Sequence, residues 1–352
     1  MRFIVNDVAA TPEAGGIYSI LEDMYKEVLL KDKTNEWFFI LSGKYFKESN
    51  NVKIIVRNDL KKSKIKKFLF ETITGRKYIN KFAPDVYISL QNISTLGVNA
   101  YKKIVYLHQP VPFQKEKKFS FFNKKERKLF FYQSIVGKFI KYSIKKEKPI
   151  VIVQTEWMKK ATKKETSIPT KNIYVAHPKI ENIKYTPKKR KLNTFIYPAS
   201  NYLYKNHEII FSAIEILKKN GINNFSVNLT LNKDQLPYDD NNINYIGHIK
   251  RKKVFDLYKD NCLLFPSYIE SFGLPLIEAA LEGDIIIAAK TEFSRELLKG
   301  YSNSYFFKYN NPHELASLMK RVIEGKIIVN GKRLESKNNG ESLLTSIKKV
   351  IE

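Results

Sequence analysis

Cysteine is nearly absent: Cys262, in the apolar run CLLFP, is the only one in 352 residues. The chain therefore holds no internal disulfide and no zinc site built on cysteine, and a reducing compartment is expected. No run reaches the roughly 18 uninterrupted apolar residues that cross a bilayer, because Lys, Asn or Glu breaks each one. Any membrane contact is then at the surface. The start, MRFIVND, enters an apolar strand without the core and small-residue cleavage site of a secretory leader, so no export is expected and the cytoplasm is the expected location. Glycine and proline are sparse, at 14 and 13, while hydrophobic residues make up 43% and aromatics 13%, which supplies packed cores rather than disorder. Acidic residues are the scarcest class relative to their counterpart, with 35 Asp and Glu against 62 Lys and Arg. The resulting net charge of +27 attracts nucleic acid, anionic lipid or phosphorylated small molecules without choosing among them. A coding bias toward Lys, Asn and Ile produces the same excess.

The length fits two domains, each of roughly 150–200 residues. Short apolar strands alternate with amphipathic helical stretches almost throughout, the pattern of parallel sheets covered by helices on both faces. In the first half the strands are RFIVND, EWFFILS, NVKIIVRN, DVYISLQ, KKIVYLHQ and PIVIVQT, with Gly15 and Gly16 turning the first into a helix through Ile17, Ile20, Leu21, Met24 and Val28. Periodicity lapses over 177–192, where two prolines and a basic run mark a connection. A second alternation follows through NTFIYPAS, FSVNLTL, NINYIGH, NCLLFPS, DIIIAA and NSYFFKY, and ESLLTSIKKVIE closes as a helix. The fold class is thus α/β, two doubly wound Rossmann-like domains facing a central cleft. The first spans 1–180, the second 190–338, and the closing helix 339–352. Ligands of such sheets bind beyond the carboxyl ends of the strands.

The most informative run is LLFPSYIESFGLPLIEAALEGDIIIA: a buried strand, a loop with Glu270, and a helix opened by Pro275, whose missing N–H is not needed in a first turn. Gly273 leaves room for close approach to the backbone, and the amides of Gly273, Leu274 and the first turn form an anion site suited to a pyrophosphate. Glu278, a turn further on, is placed to accept hydrogen bonds from ribose hydroxyls, and Glu270 from hydroxyls of a donor sugar. Taken alone, Glu278 and Glu282 also fit the solvated stripe of an ordinary helix. Taken whole, F-P-S, E-S-F-G-L-P and a second glutamate eight positions after the first resemble the E-x7-E signature of the retaining glycosyltransferases of family 4, the group 1 enzymes with the GT-B fold.

That resemblance extends over most of the chain. YPASNYLYKNHEII looks like the segment in which the family binds the donor diphosphate with a lysine and usually an arginine. Lys205 matches the lysine; the arginine is missing, Ser200, Asn201 and Tyr202 standing there, so Arg251 or another basic residue would have to replace it. Gly15 and Gly16 are similar to the family's glycine-rich loop. His108, ending KKIVYLHQ, resembles a histidine that faces the donor sugar, whereas His177 and His248 read as structural. The resemblance implies Glu270, Lys205 and His108 as catalytic residues, and Gly15, Gly16, Ser271, Phe272, Gly273, Leu274 and Glu278 as donor-binding. The first domain would bind acceptor and the second donor.

The implied reaction is a metal-independent transfer with retention from a nucleotide-diphosphate sugar to a saccharide, with no cofactor. By analogy the acceptor is polyprenyl-diphosphate-linked, in O-antigen or capsule synthesis. Asp239 and Asp240, in a polar loop, do not form a metal-binding pattern. KKSKIKKFLFETITGRKYINKF places Ile65, Phe68, Leu69 and Ile73 at helical spacing among lysines, and FQKEKKFSFFNKKERKLFFYQSIVGKFIKYSIKKEK is similarly mixed. Such segments lie on an anionic membrane, peripheral on the inner face, or serve as packing helices with solvated outer faces. A basic nucleic-acid-binding protein is the rival from another class, but no recognised motif accompanies the charge and no specific nucleic acid is expected. Another GT-B enzyme, a phosphorylase or a sugar-phosphate synthase, is the second alternative.

Overall fold

The computed structural model describes residues 1–12, 16–180, 190–335 and 340–352. The chain divides into two units: Met1–Phe122 with Arg127–Lys179 and Gly340–Glu352, and Asn123–Glu126 with Ile180–Asn339.

In the first unit β1 (Arg2–Asp7), β2 (Glu36–Leu41), β3 (Val52–Val56), β4 (Val86–Ser89), β5 (Lys102–Leu107), β6 (Ile150–Val153) and β7 (Ile173–Val175) form one sheet in the order β3-β2-β1-β4-β5-β6-β7. Every pairing is parallel. Parallel strands are covered on both faces, which is why they read as unbroken apolar runs; β4 is buried at all four positions. The six strands expected here are present, and β7 is a seventh. Helix Gly16–Lys31 follows β1, and Trp37 of β2 stacks on Phe3 with ring centroids 4.1 Å apart. Helix Leu343–Ile351 belongs to this unit. Its Leu344 and Ile347 join the core formed with Met24, Val28 and the strands, and Lys348 reaches the buried Asp32 at 3.3 Å.

Two helical stretches of this unit contain a turn of π-helix. Phe70–Thr74 lies between Lys64–Leu69 and Gly75–Asn80, and Tyr132–Val136 between Arg127–Phe131 and Gly137–Glu147. Gly75 ends the first π-turn in a space where a Cβ would stand 2.3 Å from the Phe70 carbonyl oxygen and 2.8 Å from Thr95, so the widened turn requires glycine.

The second unit holds β8 (Thr194–Tyr197), β9 (Ser226–Leu229), β10 (Ile243–Tyr245), β11 (Cys262–Phe265), β12 (Ile286–Ala289) and β13 (Ser304–Phe307), again all parallel, in the order β10-β9-β8-β11-β12-β13. All six were legible as strands. Lys125 of the short Asn123–Glu126 stretch pairs with Glu208 of this unit at 3.0 Å. Each unit is a doubly wound Rossmann-like domain, as the GT-B class of fold requires. Among the described residues no helix is long and apolar enough to cross a membrane.

Ile347 is wholly buried, so Ile347→Ala should cost the first unit about 2–4 kcal/mol. Trp37 and Trp157 both lie in that unit, so urea unfolding followed by tryptophan emission should show the loss. An unchanged midpoint would mean that the closing helix adds nothing to the core.

Candidate active site

In the second unit, strand order reverses between β8 and β11: β9 and β10 continue on one side, β12 and β13 on the other. The loops leaving β8 and β11 therefore part across a crevice at the carboxyl end of the sheet, where open α/β sheets bind ligands. These two loops carry Lys205 and Glu270.

The loops are joined by backbone and side-chain bonds. The Tyr268 amide donates to the Tyr204 carbonyl at 3.1 Å. Asn206, with φ of 61°, sits between the short turn Leu203–Lys205 and helix His207–Lys219, and its Nδ2 donates to the carbonyls of Pro266 (3.3 Å) and Tyr309 (2.8 Å). Tyr197, fully buried at the end of β8, donates its hydroxyl to the Lys205 carbonyl at 2.7 Å; burial, aided by the nearby Glu270 charge, raises the phenol well above its usual range. Lys205 is thereby held with Nζ 2.5 Å from Glu270 Oε1, the two side chains 18% and 15% exposed. Ser267 donates its hydroxyl to the same oxygen at 2.7 Å. An ammonium beside the first turn of a helix is poorly placed with respect to the macrodipole; here a carboxylate compensates it.

Beyond Glu270, Gly273 caps helix Leu274–Glu282 with φ of +101°, a conformation that favours glycine, and among the described residues no side chain caps that end. Pro275 falls in the first turn. Phe272 and Gly273 are buried, whereas Ser271, Leu274 and Pro275 remain half-buried at the tip. Glu278 and Glu282 are 4% and 2% exposed, so they do not form a solvated stripe. The Tyr258 hydroxyl donates to Glu278 Oε2 at 3.2 Å. Burial raises the pKa of Glu282, one of whose oxygens has no protein partner among the described residues.

His108 follows β5 in the first unit. The Asn92 side chain, on a residue with φ of 66°, accepts from the amides of His108 (2.8 Å) and Gln109 (2.9 Å). Burial lowers the imidazole to about 4, which makes it neutral at pH 7, and its Nδ1 has no hydrogen-bond partner among the described residues. Gly16 opens its helix, while Gly15 lies outside the described residues. Arg251 begins helix Arg251–Tyr258, and its side chain is likewise outside them. His177 lies with Nδ1 2.9 Å from the Gln154 carbonyl, and His248 is exposed. Asp239 and Asp240 pair with Lys233 and Lys218. Among the described residues no three His, Cys, Asp or Glu side chains form a metal-binding group.

Lys205, Ser271, Phe272, Gly273, Leu274, Glu270 and Glu278 thus all belong to the second unit, and Gly16 and His108 to the first. Sequence reading did not single out Ser267, Tyr197 or Asn206. Ser267 lay within the quoted F-P-S; the other two act through the fold alone.

Residues 178–343 match the model of the family Glycosyl transferases group 1. Lys205, Glu270 and Glu278 lie within the matched residues. A comparison with curated proteins gave no match. Among solved structures the chain is similar to the sucrose-phosphate synthase of Thermosynechococcus elongatus, with a TM-score of 0.65 at 13% identity over 92% of this chain and 90% of that one. It is similar to the lipopolysaccharide outer core galactosyltransferase WaaB, with a TM-score of 0.63 at 14% identity over 100% and 99%. Anabaena HepE, solved with UDP and glucose, gives 0.61 at 12% identity over 100% and 99%. The likeness to TarM, with a TM-score of 0.57 at 15% identity, covers 76% of this chain but only 54% of that longer one. At these identities the agreement is one of fold.

His207, 4% exposed, is held down at about 4 by burial, with the Lys205 charge adding to the effect. A base whose folded value lies below its unfolded one contributes stability above about pH 6.5 that is lost as pH falls toward 4. Relative to His207→Gln, the wild type should lose on the order of 2–3 kcal/mol between those limits. Parallel pH profiles of the two proteins in thermal unfolding would contradict this.

Proposed function

We propose that this protein is a retaining, metal-independent glycosyltransferase of the family 4 type, transferring a sugar from a nucleotide-diphosphate sugar to a saccharide. The observation that carries the reading is the Lys205–Glu270 pair at the strand-order reversal, beside the uncapped helix at Gly273. A diphosphate entering there competes with Glu270 for the Lys205 ammonium and takes up amides of the first turn, Gly273 and Leu274 among them. Glu270, released from its cation and still held by Ser267, then accepts hydroxyls of the donor sugar. Glu278 takes the ribose after rotating away from Tyr258. In the transfer the bond from the anomeric carbon to the diphosphate oxygen breaks and the acceptor hydroxyl oxygen bonds the same face. Its proton passes to the departing phosphate oxygen. Lys205 and the helix amides stabilise the negative charge without reorganising.

The first domain binds the acceptor, a lipid-linked saccharide in surface polysaccharide synthesis, and the enzyme works peripherally at the cytoplasmic face of the membrane. HepE supports a uridine nucleotide as the first donor to try, and WaaB supports an outer-envelope saccharide as the acceptor class. The group 1 match over the C-terminal half weighs against the nucleic-acid reading.

UDP should raise the unfolding temperature of the wild type. Lys205→Ala should abolish that shift and reduce transfer about a hundredfold or more. Glu270→Gln should keep or enlarge the shift, because the competing carboxylate is gone, yet lose turnover to a similar degree, and Glu278→Ala should chiefly weaken donor binding. Near-normal kcat in folded Glu270→Gln, or no protection of the wild type by any nucleoside diphosphate, would overturn the assignment.

A further inference from the structure

The first unit presents an exposed face that takes no part in the donor site. Ile65, Phe68 and Ile73 on one helical stretch, and Phe131, Ile135 and Tyr142 on the other, are 45–73% exposed. Phe68 packs on Phe139 at 5.2 Å between ring centroids, and Phe139 lies 6.5 Å from Tyr142, so the two stripes make one surface. The carboxylates within Lys64–Asn80 and Arg127–Glu147 are withdrawn from it. Glu71 is 1% exposed, and the Glu147 side chain, 8% exposed, is held by Lys103 at 2.7 Å. Every exposed charge on the two stretches is consequently a lysine or arginine. Where the first stripe ends, Ile73 and Phe70 line a cavity of about 400 Å³ together with Arg76, Lys77, Tyr78 and Lys81, and no carboxylate contributes to its wall.

Exposed aliphatic and aromatic side chains ringed by cations of one sign fit a surface that is apolar in depth and anionic at its edge. A second copy docking on the same face would bring like charges together. Ile65, Ile73 and Ile135, half of the stripe, offer nucleic-acid bases no stacking partner. We infer that this face docks the first unit on an anionic lipid bilayer, with the stripe sunk among the headgroups and the cavity receiving a lipid phosphate. The inference stands without the donor-site reading, since no nucleotide sugar is needed to observe it.

A protein of net charge +27 is drawn to any anionic surface, so the decisive variants are those that leave charge unchanged. The full chain should float with vesicles of phosphatidylcholine mixed with phosphatidylglycerol and much less with pure phosphatidylcholine. Phe68→Ser combined with Ile73→Ser should lower partitioning about tenfold or more. Arg76→Ala combined with Lys77→Ala should lower it about fivefold per charge removed. Tryptophan emission and protection by UDP, unchanged in both variants, show that fold and donor site are intact. Flotation of the Phe68/Ile73 variant equal to wild type would overturn the inference, as would absence of binding at low salt or equal binding to neutral vesicles. So would a dimer in sedimentation that the same substitutions dissociate while vesicle binding persists.

Discussion

The ion pair between Lys205 and Glu270 is the interaction on which the candidate site depends, and it exists because parallel sheets with reversed strand order leave two loops at one crevice. Neither residue is placed by its own helix or strand. Lys205 ends a three-residue turn whose carbonyl is fixed by Tyr197, and Glu270 is steadied by Ser267 in the loop after β11. Asn206, in the left-handed region, ties the first loop to the second and to Tyr309. A cation so near a helix start needs an anion. Glu270 supplies one and keeps the lysine oriented. His207, directly following, is kept neutral by burial and by this same cation, so no second positive charge develops at neutral pH.

Much of the fold was legible because buried parallel strands advertise themselves as apolar runs, and all six strands of the second unit were read from NTFIYPAS through NSYFFKY. β7 escaped because it is only three residues long, Ile173–Val175. The π-turns escaped for a different reason: the spacing of Ile65, Phe68, Leu69 and Ile73 suits an α-helix, and the widening is dictated by Gly75 meeting Phe70 and Thr95, a tertiary fact. The helix opened by Gly273 and Pro275 was legible from two residues whose backbone constraints are local. The state of its glutamates was not. Acids four apart on a helix ordinarily face water, but Leu276 through Ala280 are all buried here, so Glu278 turns to Tyr258 and Glu282 lies in the interior. Lys205 and Glu270, sixty-five positions apart, were joined beforehand by family resemblance, and only the strand order supplies the physical reason.

The excess of basic residues has two parts that composition alone does not separate. Many lysines are ordinary: Lys218 and Lys233 pair with Asp240 and Asp239, and Lys26 and Lys31 pair with glutamates one turn earlier on the same helix. Exposed pairs such as Lys233–Asp239 and Lys26–Glu22 contribute little to stability, and a coding bias accounts for them as well as any selection does. Codon preference scatters lysine; it has no means of moving carboxylates. On Lys64–Asn80 and Arg127–Glu147 the acids are present but turned away, Glu71 into a buried network with Asn6, Gln91 and Thr95 and Glu147 onto Lys103, while Ile65, Phe68 and Ile135 stay in water. Leaving apolar side chains exposed forgoes hydrophobic stabilisation that burial would provide, on the order of 1.5–3 kcal/mol for each large one. A fold retains such an arrangement without loss when something other than water covers the face, and cations at its margin set the sign of whatever does.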